Sequence, residues 1–323
     1  MATLDTSKSY TLVELAKRKL GNGNEAVVAE VLNADNPIIQ DAPWVEANDT
    51  FSHKVVRRLS LPAGSWRRLN AGVAVEASQT LEAIETIGML ETYSEVDKDL
   101  VDAAAQPRHF RTGEAKAFIE GLAQTWTSTV FYGDSGKTPE QFTGLAPRLA
   151  ATSQGNVYSA GGSGGDTTSI YVVQWGETKA GFVYPKGAGK LGIAHHDKGQ
   201  VTLEDANGNL YEGYRDHFQL KCGMYVKDER SIARIANIET SGATNTFDED
   251  LLIAAINNLP MEGKDAVIYV NATIRTQMDI KLKDKTNVNF TVDNGLGGIP
   301  LLRFRGIPVR KCDAIVNNET AIS

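Results

Sequence analysis

The sequence lacks the cysteines that a disulfide framework or a zinc site needs. Its two cysteines, Cys222 and Cys312, are far apart and neither lies in a Cys-x-x-Cys pair. We expect both to be reduced, buried thiols, which suits synthesis in a cytosolic compartment. No run approaches the ~18 consecutive apolar residues of a membrane span. The N-terminal residues 1–21 have no apolar core, because their hydrophobic residues fall at helical intervals among charges, so they do not predict a signal peptide.

A basic excess is also lacking. The formal net charge is -7 and the isoelectric point is near 5.4. A protein that reads DNA sequence usually carries a basic face for the phosphates, so this composition argues against sequence-specific binding. It permits a protein that encloses DNA without gripping it.

Partial catalytic motifs fail on inspection. Gly136-Lys137-Thr138 ends like a phosphate loop, but the motif needs glycine at 131, where the chain has Phe131. A similar run at 185–192 has Leu191 in place of the hydroxyl residue. Ser163 in GGSGG matches a nucleophile elbow formally, yet its surroundings have the composition of a flexible loop.

Metal-binding patterns fail in the same way. His195 and His196 are adjacent, so on a strand they would point to opposite faces. Asp205 opens a run that resembles a calcium loop, but Leu210 occupies the position that requires glycine. The sequence therefore predicts no catalytic, cofactor-binding or metal site, and we expect a protein that is not an enzyme.

The clearest element that the sequence predicts is a helix over 112–132. Its apolar residues recur at intervals of three and four and form one stripe, which comprises Phe118, Ile119, Leu122, Trp126 and Val130. Gly133 follows as a stop signal. Shorter helices are predicted at 11–20, at 24–32, from Ser94 onward, from Thr246 and after Asn271.

The second half of the chain is rich in β-formers and turn residues. Asn207-Gly208 predicts a hairpin turn, and residues 217–239 predict two long strands joined by a polar bend. Strands AVIYV and RGIPVRKCDAIV are predicted near the end. The mixture is typical of an α+β fold rather than an orderly βαβ alternation.

Residues 51–75 combine strand patterns with an unusual charge. Two strand-like runs flank Pro62-Ala63-Gly64, which predicts a hairpin. The segment has no negative charge, and its positive residues are Lys54, Arg57, Arg58, Arg67 and Arg68. The following segment, 76–102, is strongly acidic. The two could pair within one chain, or the hairpin could lie on the acidic surface of a neighbouring copy; a solvated basic face is a further interpretation.

Several segments, in their order and spacing, resemble the major capsid proteins of tailed bacteriophages, of the Hong-Kong-97 type and its epsilon-15-like and Bordetella-phage-like podophage branch. They are LPAGSWRRLNAGV (61–73), VFYGDSGKTPEQFTGLAPR (130–148), YVVQWGETKAGFVYPKG (171–187), DERSIARIANIE (228–239) and FRGIPVRKCDAI (304–315). The resemblance implies an N-terminal arm (1–48), an extended hairpin loop (49–78), a peripheral domain (79–240) with a spine helix at 112–132, and an axial domain (241–323). The order of segments resembles the topologically permuted version of the fold.

The resemblance also implies which residues contact a neighbouring subunit and how the protein assembles. The hairpin residues Lys54, Arg57, Arg58, Trp66, Arg67 and Arg68 would contact an adjacent subunit, and Phe118, Leu122 and Trp126 would form the spine-helix core. The chain would assemble with itself into pentamers and hexamers of an icosahedral shell that encloses double-stranded DNA. Assembly would take place in the bacterial cytoplasm, with a separate scaffolding protein, a portal and a decoration protein as partners.

Two alternatives remain open on the sequence. One is an encapsulin-like compartment with the same fold, which a neighbouring peroxidase gene would indicate. The other is a hydrolase that uses Ser163, which loss of activity on Ser163→Ala would indicate.

Overall fold

The computed structural model describes residues 36–104, 107–187, 192–205, 207–242, 244–283, 288–294 and 300–323, with the side chains of 107–109, 293, 294 and 300 left aside. The helices predicted at 11–20 and 24–32, most of the predicted arm, and Leu191 lie outside these residues.

The described elements mix helices and strands along the whole chain. The α-helices are Ile38–Asp41 (α1), Lys98–Asp102 (α2), Pro107–Tyr132 (α3), Leu145–Arg148 (α4), Glu249–Asn258 (α5) and Ala272–Leu282 (α6). The strands are Trp44–Glu46 (β1), Ser52–Ser60 (β2), Gln79–Asp97 (β3), Val157–Ser159 (β4), Thr167–Gln174 (β5), Ala180–Tyr184 (β6), Ala194–Glu204 (β7), Leu210–Val226 (β8), Ile232–Glu239 (β9), Ala266–Val270 (β10), Phe290–Asn294 (β11), Pro300–Phe304 (β12) and Ile307–Lys311 (β13). Short 3₁₀ helices lie at Glu229–Ser231 and Pro260–Gly263.

The chain divides into two compact units. The smaller unit comprises the described residues within 89–126 and 189–221, and the larger unit comprises those within 35–88, 127–188 and 222–323.

In the smaller unit, β7 and β8 form an antiparallel hairpin. Gly208 has φ +81°, and the carboxylate of Asp205 accepts the backbone N–H groups of Asn207 and Asn209, each at 2.8 Å. The turn predicted at Asn207-Gly208 is therefore confirmed. On the other side of β8, residues 89–97 of β3 lie so close that a Cβ on Gly213 would approach the carbonyl oxygen of Val96 to 2.8 Å.

The long helix α3 ends at Tyr132, as predicted, but begins at Pro107 instead of Thr112. Proline suits a first helical turn, where its missing N–H costs nothing, so the helix extends beyond its apolar stripe. In the smaller unit Phe118 stacks on Phe218 with ring centroids 5.7 Å apart, while Leu122 and Trp126 are buried. Ile119, in contrast, is 38% exposed.

The helix predicted from Ser94 is wrong in its start. Ser94 is buried in β3, and the short helix α2 begins after Asp97, whose carboxylate accepts the N–H of Asp99 at 2.8 Å. The β pattern of the preceding residues extends the strand through Ser94.

The larger unit contains one sheet in which β1, β6, β8, β3 and β2 are neighbours in that order, through the parts of β8 and β3 that belong to it. The hairpin predicted around Pro62-Ala63-Gly64 is wrong in its second strand. Strand β2 pairs antiparallel with residues 79–86 of β3. Residues 61–78, which are part of the predicted hairpin loop 49–78, contain no strand, and we call them the extended loop. The partner of the basic strand is thus the acidic segment of the same chain.

The second sheet of the larger unit has the order β11-β12-β13-β10-β5-β9-β4. Its central strands β5 and β10 are buried at every residue, and α5 and α6 contribute to the hydrophobic core built on them. Helix α6 follows Asn271 as predicted, with the Asn271 side chain accepting the N–H of Ile274 at 2.9 Å, whereas α5 is capped by Asp248 and not by Thr246.

The segment predicted as two long strands with a polar bend is confirmed as β8 and β9 with a 3₁₀ turn between them. The two strands belong to different sheets, however, because β9 pairs with β5, which pairs with β10. The boundary predicted between 240 and 241 therefore divides a sheet. The architecture as a whole is α+β, as predicted.

Candidate interaction surface

The basic strand β2 has two unlike faces because its side chains alternate. His53 and Val55 are buried and Arg57 is half-buried, whereas Lys54 and Arg58 are exposed. The buried face packs with Ile87 and Tyr225 in a small hydrophobic cluster. The strand is therefore anchored on one side and presents basic residues on the other.

Arg57 has partners in its own chain. Its guanidinium forms an ion pair with Glu229 and donates to the carbonyl oxygen of Val226 at 2.5 Å. Its side chain is 18% exposed, so this arginine holds β2 to the end of β8. Sequence patterns could not reveal this pairing, since the partners lie far along the chain.

Lys54 also has a partner across the hairpin. Its ammonium lies 3.0 Å from a carboxylate oxygen of Glu82 on β3, with both side chains half-exposed. An exposed pair of this kind contributes little stability, on the order of 0.2–1 kcal/mol. Of the two arrangements that the charges allowed, pairing within one chain applies to Lys54.

Arg58, Arg67 and Arg68 are different. All three are exposed, and within the described part of the chain none of them forms an ion pair. Arg67 makes one long hydrogen bond, of 3.4 Å, to the carbonyl oxygen of Ala71. Their positive charges are therefore available to another molecule.

The extended loop also exposes apolar side chains. Trp66 and Val75 are fully exposed, Leu69 is 92% exposed and Leu61 is 75% exposed. At its base, the carboxylate of Glu76 accepts the N–H groups of Ala63 and Gly64 at 2.9 and 3.1 Å. These hydrogen bonds fix the base of the loop while its apolar residues remain uncovered. Of the four, Trp66 was predicted from the sequence as a contact residue and the other three were not.

Apolar side chains are also exposed on the two strands that flank the extended loop. Among the described residues, ten of the 21 large hydrophobic side chains that are exposed fall between Phe51 and Ile84. Exposed apolar side chains that are concentrated in one part of a protein mark sites of protein association. We call β2, the extended loop and residues 79–86 of β3 the loop surface.

The motifs weighed for catalysis lie in unsuitable places. Ser163 is exposed in a loop between β4 and β5, whereas a nucleophile elbow requires a turn from a strand into a helix. Gly136-Lys137-Thr138 follows helix α3 and not a strand. Lys137 is 86% exposed and lies 3.6 Å from Asp134.

Two of the histidines each contact one carboxylate. His195 contacts Asp216 at 2.9 Å and His217 contacts Glu91 at 3.0 Å. No group of three or more metal-ligating side chains occurs within the described ranges. Across the same ranges, no helix is long and apolar enough to cross a membrane.

The larger unit contains a buried ionic cluster that no sequence pattern predicted. Glu319, near the C-terminus, pairs with Arg234 at 2.9 Å, and both side chains are less than a tenth exposed. The carboxylate also accepts the hydroxyl of Tyr132 at 2.6 Å and that of Ser169. Burial, with the neighbouring Tyr171 and Glu319, raises the pKa of Tyr132 far above its usual value, so its hydroxyl stays a donor.

His53 is the other unusual buried group. Its Nδ1 accepts the N–H of Asn48 at 3.4 Å, while its Nε2 is buried with no hydrogen-bond partner. Burial lowers the pKa of His53, as does the charge of Lys227, and Glu85 acts in the opposite direction. Protonation of this histidine is therefore disfavoured relative to a solvent-exposed one.

Comparison with known proteins identifies what this arrangement resembles. A family model described as "Major capsid protein GP7" matches residues 21–323. A cryo-EM structure of bacteriophage Epsilon15 superposes with a TM-score of 0.77 at 30% identity, covering 100% of this chain and 99% of that one.

A more distant structure shares the fold. The capsid of bacteriophage JBD30 covers 94% of this chain and 99% of its own at a TM-score of 0.54 and 11% identity. The SrpI encapsulin complex of Synechococcus elongatus gives a TM-score of 0.48 at 12% identity, covering 74% of this chain and 100% of that one. The search of curated proteins gave no match.

Proposed function

The chain belongs to the family of major capsid protein GP7, and from this premise we propose that the loop surface is the contact through which each subunit binds its neighbour in the shell. The protein is a structural subunit of a bacteriophage capsid with the Hong-Kong-97-like fold. The encapsulin-like alternative is weaker, because the family model and the 30% identity both point to a phage capsid.

The observation that carries this proposal is the uncovered loop surface. It combines fully exposed apolar residues with three arginines that have no ion pair among the described residues. Burying an exposed aromatic or aliphatic side chain against a partner stabilises by about 1.5–3 kcal/mol. Repeated around a closed shell, contacts of this size add by multivalency.

The domains can be assigned from the sheets. We propose that the seven-stranded sheet with α5 and α6 forms the axial domain, which then includes β4, β5 and β9 as well as residues 241–323. We propose that the smaller unit with α3 belongs to the peripheral domain, and that residues 1–48 form the arm. The strand pairing supports assigning β9 to the axial side.

The remaining roles follow from the resemblance to tailed-phage capsid proteins. We propose assembly in the host cytoplasm into pentamers and hexamers, with a separate scaffolding protein, a portal and a decoration protein. The shell would enclose double-stranded DNA without sequence-specific contacts, which agrees with the acidic net charge of -7. The role is structural and we propose no catalytic step.

The test is assembly of the purified protein, measured by sedimentation velocity and negative-stain electron microscopy with and without scaffolding protein. The informative variant replaces Arg58, Arg67 and Arg68 by glutamate. Arg57 is left intact, because glutamate there would face Glu229 and disturb the fold. We expect closed shells from the wild type and none from the triple variant, with its thermal midpoint unchanged.

A charge-matched control carries glutamate at three exposed lysines elsewhere, Lys198, Lys264 and Lys283. It makes the same change in net charge and should still assemble. Normal shells from the folded triple arginine variant would refute the role of these charges. A wild-type protein that stays monomeric under every condition would refute the proposed function itself.

A further inference from the structure

A groove in the smaller unit is unfilled by the described chain. It is lined by Leu90 and Thr92 of β3 and by Ala117, Phe118, Gly121 and Leu122 of α3, and its volume is about 490 Å³. Phe118 is half-buried at its wall and Leu122 is buried at its floor. We call this the helix groove; it has the size and apolar character to accept an aromatic side chain.

Gly121 keeps the helix groove open. It lies in the middle of the 26-residue helix α3, and a Cβ built on it would meet nothing within 4 Å. Glycine in a helix interior is unfavourable relative to alanine, so its presence needs a reason. Helix α3 has two glycines with an open Cβ position, Gly113 and Gly121, and of these Gly121 is the one that lines the helix groove.

The charge of the helix groove limits its occupant. Among its lining residues, Glu91 carries a negative charge and none is basic. Clefts elsewhere carry cations: Arg111 and Lys116 line one, and Arg148 and Arg230 line another. A basic, aromatic segment therefore suits the helix groove better than it suits those clefts.

The extended loop is such a segment. Trp66 is fully exposed and precedes Arg67 and Arg68, and residues 61–75 contain no acidic side chain. Trp66 stands six residues beyond Ser60, the end of β2, so extended chain places it up to about 20 Å from the paired strands. Tryptophan flanked by arginine is the composition that dominates binding energy at interfaces.

We infer that the helix groove receives Trp66 from a second copy of this chain, with Arg67 or Arg68 beside Glu91. This inference rests on the proposed function, since it names the receiving site for the loop surface. Trp66 is the anchor, and Gly121 is the residue that lets the indole approach the helix backbone.

Chemical cross-linking in assembled shells tests the contact directly. The full-length double variant Trp66→Cys/Gly121→Cys is assembled and treated with a short bifunctional maleimide, because the length of an indole separates the two backbones beyond disulfide reach. The native Cys222 and Cys312 are buried and should not react. We expect a ladder of covalent multimers on denaturing gels.

Gly113 provides the matched control. It lies eight residues before Gly121 on the same helix, about 12 Å away along the axis, and also has open space at its Cβ. The pair Trp66→Cys/Gly113→Cys should give few multimers. Shells without a ladder, an equal ladder from position 113, or a link from the cysteine introduced at position 121 to another protein of the particle would each overturn the inference.

A second pair of variants tests whether the helix groove is occupied in the shell, should the cysteine variant fail to assemble. Gly121→Leu fills the helix groove, while Gly113→Leu adds the same side chain outside it. We expect Gly121→Leu to lower shell yield about tenfold or more with an unchanged thermal midpoint, and Gly113→Leu to leave both unchanged. Equal effects of the two leucines would overturn the inference, while wild-type shells would leave the proposed function standing.

Discussion

Removing the carboxylate of Glu319 should destabilise the larger unit more than most single substitutions do. This carboxylate lies 2.9 Å from Arg234, accepts the hydroxyl of Tyr132 at 2.6 Å and contacts that of Ser169. Glu319→Ala would leave a buried guanidinium without its counter-charge and two hydroxyls without their acceptor. The side chains of Arg234 and Glu319 are 5% and 7% exposed, so water cannot replace what is lost.

The expected magnitude follows from this geometry. Removing one partner of a buried ion pair costs about 3–5 kcal/mol, because the remaining charge stays buried. The entropy of unfolding is about 2.1 cal/mol/K per residue, which for 323 residues is about 0.7 kcal/mol/K. A loss of about 4 kcal/mol therefore lowers the thermal midpoint by about 6 °C.

The assay is differential scanning calorimetry of the unassembled protein, with two companion variants. Glu319→Gln keeps an oxygen acceptor for one hydroxyl and should cost less, about 2–3 kcal/mol. The double variant Arg234→Met/Glu319→Leu removes both charges and should recover more than half of the loss seen in Glu319→Ala. A Glu319→Ala midpoint within about 1 °C of the wild type would refute the argument that this pair is buried and stabilising.

Three further predictions concern a buried histidine, a buried tryptophan and the exposed Ser163. His53→Gln should flatten the pH dependence of the free energy of unfolding. Burial lowers the pKa of His53 in the folded chain, so below about pH 6.5 the unfolded histidine binds a proton more readily than the folded one. Its contribution to stability is therefore intact above pH 6.5 and is lost as the pH falls, which urea unfolding at pH 7.5 and 5.5 measures. Trp126→Ala should cost about 3–5 kcal/mol in urea unfolding, whereas Ile119→Ala, at a 38% exposed position of the same helix, should cost less than about 1 kcal/mol; equal losses would contradict the observed burial. Ser163→Ala should leave ester hydrolysis by the purified protein at its background rate, and a drop would revive the hydrolase alternative.

Elements specified by neighbouring residues could be predicted from the sequence. The long helix was predicted to end at Tyr132 because a stripe at three- and four-residue intervals and a following glycine are local signals. The Asn207-Gly208 turn was predictable for the same reason, since a tight hairpin needs residues that adopt positive φ. Even so, the helix start at Pro107 was missed, because the stripe begins later than the helix.

The resemblance to tailed-phage capsid proteins depended on the order of several segments and is confirmed by the family match across residues 21–323. It identified the basic segment as a contact region, and that role remains a proposal. It did not separate Arg57, which is paired with Glu229, from Arg58, which is unpaired among the described residues. That distinction depends on which face of β2 each side chain occupies.

The tertiary structure alone decided which distant segments meet. Strand β2 pairs with residues 79–86, which follow the extended loop in sequence. Strand β9 pairs with β5 and not with β8, the strand that precedes it in the chain. Glu319 likewise pairs with Arg234, which lies 85 residues earlier in the chain. Local sequence patterns specify helices, turns and strand faces because those depend on neighbours within a few residues. Strand partners, buried charge pairs and uncovered surfaces depend on the total burial of apolar and polar groups, which only the folded chain determines.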